Sequence, residues 1–203
     1  MDALRRVFGP SREEIWRQLA ERIGARFVDG GFLGRDRVVA RHREWTVTLD
    51  TYTVSTGKST VTFTRMRAPY VNPDGFRFTV YRAGLFTELG KKLGMQDVEV
   101  GVPDFDRDFV VKGSDESRLR SLFVDPAVQA LLRAQPRVRL EVADDEGWFG
   151  AEFPEGVDEL RFHVPGVIRD LEQLKGLFDL FAAVLDRLCA IGSAYARDPG
   201  VTL

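Results

Sequence analysis

The chain has 203 residues, 44% of them hydrophobic and 30% charged, with a net charge of −2. This is long enough to bury a full core, too apolar for disorder and free of the long apolar run of a membrane span. A pI near 5.8 argues against a dedicated nucleic-acid binder, although residues 1 to 100 carry 17 Lys/Arg against 12 Asp/Glu and the remainder 12 against 19.

The opening residues "MDALRRVFGPSREEIW" lack a signal-peptide core and a cleavage pattern, and one cysteine, Cys189, cannot form an internal disulfide. A cytoplasmic location is the expectation. Ser11 stands three residues before Glu14, the spacing of a capping box, and Ile15, Leu19 and Ile23 then form one apolar stripe up to Gly24. An N-terminal docking helix follows from this.

From Arg26 to Arg82 the apolar period changes to two, as in Trp45, Val47 and Leu49, with turn signals at "STGKS" and "VNPDG". This predicts an antiparallel meander. "AGLFTELGKKLG" reads as a short helix, and "DFDRDFVVKG", from Asp104 to Gly113, as a strand. In "GSDESRLRSLFVDPAVQALLRAQP", Ser114 is the expected cap of one helix, and Asp125 followed by Pro126 the cap and first turn of a second. "RVRLEVADDEGWFGAEF" predicts a hairpin about "DDEG", "DELRFHV" a strand, and residues 167 to 192 a long helix with Leu174, Phe178, Phe181, Leu185 and Leu188 on its buried face.

The resulting expectation is α+β: antiparallel meander sheet or sheets, an N-terminal helix, a central helix pair and a long C-terminal packing helix. A single domain over residues 1 to 203 is expected, with possible sub-halves at 1–100 and 101–192 and a frayed or surface-lying tail at 193–203. A seven-stranded barrel capped by the last helix is a topological option.

Chemistry-bearing motifs are few. "STGKST" is similar to the end of a phosphate-binding loop, but Tyr52 occupies the position of the required first glycine and a strand pattern follows, so a hairpin turn is expected. Cys189 falls on the apolar stripe of the last helix, where a thiol is inert. His42 reads as part of a charged face with Arg41 and Arg43, and His163 as the solvent face of its strand. Neither a catalytic set nor a cofactor or metal site is expected.

The basic and aromatic run from Arg65 to Arg82 provides the candidate binding residues, Arg65, Arg67, Tyr70 and Arg77, suited to phosphates and stacked rings. Asp104, Asp106 and Asp108 could in principle hold a divalent cation for hydrolysis. Phe109 and Asp115 stand where a helix-loop-helix calcium loop needs glycine and glutamate. As a strand, the segment would put Phe105, Arg107, Phe109 and Val111 on one face and leave Asp106 and Asp108 on the solvated other. Loss of Asp106 should then matter little.

The spacing of Phe105, Phe109, Val111 and Asp115, followed by Leu122, Pro126 and Leu131, resembles the signature of an uncharacterised bacterial family of unknown function. "FVDGGFLGRDRV" is similar to that family's entry into its first strands. Members often carry membrane-spanning segments beside the domain, and the resemblance implies no activity, cofactor or catalytic residue. The functional expectation is a non-enzymatic protein-interaction module. Binding of anionic lipid or nucleic acid is the alternative, metal-dependent hydrolysis the second, and homo-oligomerisation is open.

Overall fold

The computed structural model describes residues 10–31, 34–55, 57–84, 96–144 and 152–203. Helix α1 (Arg12–Ile23) starts at a complete capping box, with Ser11 Oγ accepting from the Glu14 amide at 3.1 Å and Glu14 accepting from the Ser11 amide at 2.9 Å. It ends where Gly24 adopts φ 66°, a left-handed conformation that favours glycine.

The sheet strands are β1 (Arg26–Val28), β2 (Arg37–His42), β3 (Trp45–Ser55), β4 (Thr60–Val71), β5 (Phe78–Arg82), β6 (Gln96–Asp97), β7 (Phe109–Gly113), β8 (Arg139–Ala143) and β9 (Val157–Pro165). They form one antiparallel sheet of nine strands in the order β1-β2-β3-β4-β9-β8-β5-β7-β6. This establishes the α+β class; the order is open, so the barrel option is replaced. The expected hairpin at residues 55–60 is present as the β3–β4 pair; β8 pairs with β9, the "DELRFHV" strand, whereas most of the second arm expected for the "DDEG" hairpin and most of "AGLFTELGKKLG" lie outside the described residues.

Period-two alternation divides the sheet into two unlike faces. Leu49, Met66, Phe162 and Leu140 occupy successive register positions on one face, and all are fully buried. Against this face pack the buried sides of α1, α2 (Pro103–Asp108), α3 (Glu116–Phe123), α4 (Pro126–Arg133) and α5 (Leu171–Ala190), forming a single apolar core. α5 supplies Leu174, Leu177, Phe178, Phe181, Leu185 and Leu188, as the helical spacing predicts, and Cys189 packs at the edge of that core.

Two local expectations are corrected and a third is narrowed. The cap of α3 is Asp115, which accepts from the Arg118 amide at 3.0 Å, one residue beyond Ser114. Of the two options for the tail, it lies over the surface, tied down where Ser193 and Ala194 are buried and Tyr195 bridges to Val71. Residues 103 to 108 are a helix, not a strand. Pro103 opens that helix, and Asp106 turns back to accept amide hydrogens from Val100, Gly101 and Val102 at 2.7, 2.9 and 3.0 Å. Phe105 still reaches the core, and its ring stacks on Phe109 at 4.8 Å.

Candidate functional site

On the other face of the sheet, alternate residues of β3, β4, β9 and β8 carry charge. Asp50 accepts two hydrogen bonds from Arg65, at 2.9 and 2.8 Å, and one from Arg67 at 3.0 Å. Arg67 stands in register with Arg161, and Arg161 with Glu141. Glu141 accepts from Arg161 at 2.8 Å and from Arg139 at 2.9 Å, while Glu159 lies 3.5 Å from Arg161. The result is a charged seam across four strands in which Asp50, Arg67, Glu141 and Glu159 are buried. Ion pairs so placed are held by hydrogen bonds that compensate the loss of water.

Two titrating rings border this seam. His163 follows Arg161 by two residues on the same face and presents its ring edge to Phe63 at 6.3 Å. It is half-buried, not on the open solvent face expected, and burial lowers its pKa to about 4. Burial likewise raises the Tyr52 hydroxyl, against the nearby positive charge of Arg65 and Arg161. Neutral His163 is therefore built into the fold. Below its ordinary pKa of 6.5 the unfolded chain takes up a proton that the folded chain refuses, so stability should fall from pH 6.5 towards 4. Between pH 7 and pH 4.5 the wild type should lose about 2.5 kcal/mol more than His163→Gln when denaturant unfolding of the two proteins is compared.

The four binding residues expected from the sequence are not gathered into one patch. Arg65 and Arg67 belong to the seam. Tyr70 points to the opposite face, is fully buried, and has its hydroxyl pKa raised well above the ordinary range by burial. Its ring is therefore not offered to solvent for stacking. Arg77, partly exposed, pairs with Asp144 at 3.0 Å and Asp158 at 3.2 Å.

The acidic triplet also disperses. Asp106 is committed to backbone amides, and Asp104 and Asp108 pair with Arg107 at 2.8 and 3.2 Å. Among the described residues no group of three or more His, Cys, Asp or Glu side chains could hold a metal ion. His42 instead meets Asp186 of α5 at 2.9 Å, beside Arg43.

Two features flank the seam. The first is a β-arm. Beyond Asp50 and Thr64 the β3–β4 pair extends past its ladders with β2 and β9, and Tyr52, Val54, Val61 and Phe63 share one side of it. Tyr52 and Phe63 stack at 5.0 Å, and Val54 and Val61 are 43% and 39% exposed, two of four exposed large hydrophobic residues among those described.

The second is a cavity of about 450 Å³ over β1–β3 on the same face, walled by Arg26, Arg37 and Arg41, by Val28 and Val39, and by residues 201–203. Sequence reading missed both Asp50 and this cavity. The signal for the seam was present in "RLEVA" and "ELRFH", where charge recurs at every second residue opposite the core positions.

No family model matches the chain, and no curated protein is significantly similar in sequence. Among solved structures, the fold is similar to that of the mycobacterial trehalose monomycolate transport factor A, TtfA, with a TM-score of 0.51 and 11% identity over 94% of this chain and 98% of that chain. At such identity the likeness is one of fold. Among the described residues no helix is long and apolar enough to cross a membrane.

Proposed function

We propose that this chain is a non-catalytic domain that docks a protein partner on the β3–β4 arm and the adjoining charged face. The observation that carries the reading is the arm itself. Val54 and Val61 lie directly across from each other on a two-stranded extension, with the stacked Tyr52 and Phe63 rings at its base. Arg65 lies 5.0 Å from the Tyr52 ring, and exposed Lys58 marks the tip. An apolar stripe bordered by cations suits a protein surface with an apolar socket and an acidic rim.

The chemistry of the seam favours the same reading. Its acids and arginines bind one another, and the ring nitrogens of His163 make no hydrogen bond to a described residue, so no nucleophile is placed against a base. That a transport factor is built on a similar architecture also supports a binding role.

The test is affinity capture from the native cell with the wild-type chain and with Val54→Asp/Val61→Asp, both solvent-exposed changes. Circular dichroism should be unchanged, and a protein retained by the wild type should be lost from the variant. Equal retention by both would overturn the arm as the docking element. A change in sedimentation of the purified chain itself on mutation would identify a second copy as the occupant instead.

A further inference from the structure

The cavity over β1–β3 has a lining that the arm and seam do not use. Three of its walls are arginines, no carboxylate side chain lines it, and its remaining surface is mainly Val28, Val39, Val201 and Leu203, with Thr46 and Thr48 at the base. Arg26, Arg37 and Arg41 fall on one face because β1 and β2 pair in the register Arg26↔Val39 and Val28↔Arg37, with Arg41 two residues beyond Val39. Three like charges side by side repel one another unless an anion or an acceptor joins them.

The acceptors present are unequal. Arg37 donates to the Leu203 main-chain oxygen at 2.5 Å and is thereby engaged, while Arg41 donates to the Arg43 carbonyl oxygen at 3.4 Å and reaches Glu44 and Asp198 only at 3.5 and 3.9 Å. Arg26 makes no hydrogen bond or ion pair with a described residue. The Arg37 contact shows what the site accepts: an oxygen on the guanidinium, with the aliphatic side chains of Val201 and Leu203 alongside. A volume of about 450 Å³ lies within the range of roughly 300–1,000 Å³ typical of small-molecule sites.

We propose that this cavity binds a small amphiphile with an anionic head, a carboxylate or phosphate monoester, seated on Arg26 and Arg37. The apolar part lies against Val28, Val39 and the wall formed by residues 201–203. The charged end gives orientation through guanidinium forks and the valine and leucine wall selects for an attached chain.

Calorimetric titration at low ionic strength, below micelle formation, tests this with four probes: decyl phosphate, decanoate, inorganic phosphate and decyl maltoside. One equivalent of decyl phosphate or decanoate is expected to bind, and whichever is the tighter identifies the head group. Inorganic phosphate should bind at least about tenfold more weakly, and decyl maltoside not at all. Arg26→Ala/Arg37→Ala should weaken the anionic amphiphile by more than about tenfold, since both guanidinium donors to the head group are removed. Arg43→Ala, an exposed arginine outside the cavity, should leave affinity unchanged. Absence of heat with both anionic amphiphiles would overturn the proposal. So would equal binding of decyl maltoside, or an affinity that the double variant leaves intact while its melting temperature matches the wild type.

Discussion

Phe109→Ala is expected to destabilise the fold by about 3 to 5 kcal/mol, the range for truncating a large buried aromatic side chain. Phe109 is 3% exposed, stacks on Phe105 at 4.8 Å and carries the Arg82 guanidinium 5.0 Å from its ring. Phe105 in turn stacks on Phe123, so the cavity left behind opens beneath three elements at once and cannot readily collapse. Asp106→Ala should cost about 1 to 3 kcal/mol, because three amides lose a charged acceptor. Asp104→Ala, at an exposed position paired with exposed Arg107, should stay within about 0.5 kcal/mol. Urea unfolding of the three variants checks the order; an Asp106 effect no larger than that of Asp104 would mean that water replaces the carboxylate at those amides.

Asp50→Ala should be as damaging, at about 3 to 5 kcal/mol, for a different reason. Asp50 and Arg67 are 4% and 5% exposed, and Arg65 shares the same carboxylate, so removal leaves adjacent guanidinium groups facing each other in a dry setting. Adding Arg67→Met should restore part of the loss, since the remaining Arg65 is the more exposed of the two and can turn to water. Glu116→Ala, which breaks the exposed pair with Arg120, serves as the comparison and should cost no more than about 0.5 kcal/mol. A loss under about 1 kcal/mol for Asp50→Ala would show that solvent reaches both arginines, and would remove the physical basis of the seam.

The class of fold was readable because its signals are local. Ser11 with Glu14, and Asp125 with Pro126, announce helix starts through neighbours a few residues away, and Trp45, Val47 and Leu49 announce a strand by alternation alone. Residues 103 to 108 misled for a numerical reason. Phe105 and Phe109 are four apart, a spacing that lies on one face of a helix and, being even, also on one face of a strand. Arg107 was the discriminating residue, since a strand would have turned its charge inward, and Pro103 fits the first turn of a helix.

The candidate site was less readable because it is assembled from distant segments. Asp50 and Arg65 meet across a hairpin, but Arg67 finds Arg161, and Arg161 finds Glu141, only once the strand order is known. The cavity needs residues 201–203 laid beside β2, a contact between segments up to 166 residues apart that no local pattern announces. Tyr70 was assigned to a binding surface on composition, whereas its parity with Met66 and Ala68 along β4 already placed it on the core side.

The strand order also dictates when the molecule can be finished. β4 and β5 are consecutive in the chain but do not pair; β9 and β8 lie between them in the sheet. As the chain leaves the ribosome, the β1–β4 meander can form from near neighbours, yet its β4 edge stays open until Val157–Pro165 has been made. Closure of that edge is a contact of high sequence separation, the slow kind in folding. Arg65 and Arg67 stand on the waiting strand, and their charge discourages the exposed edge from pairing with another chain before its own last strand arrives.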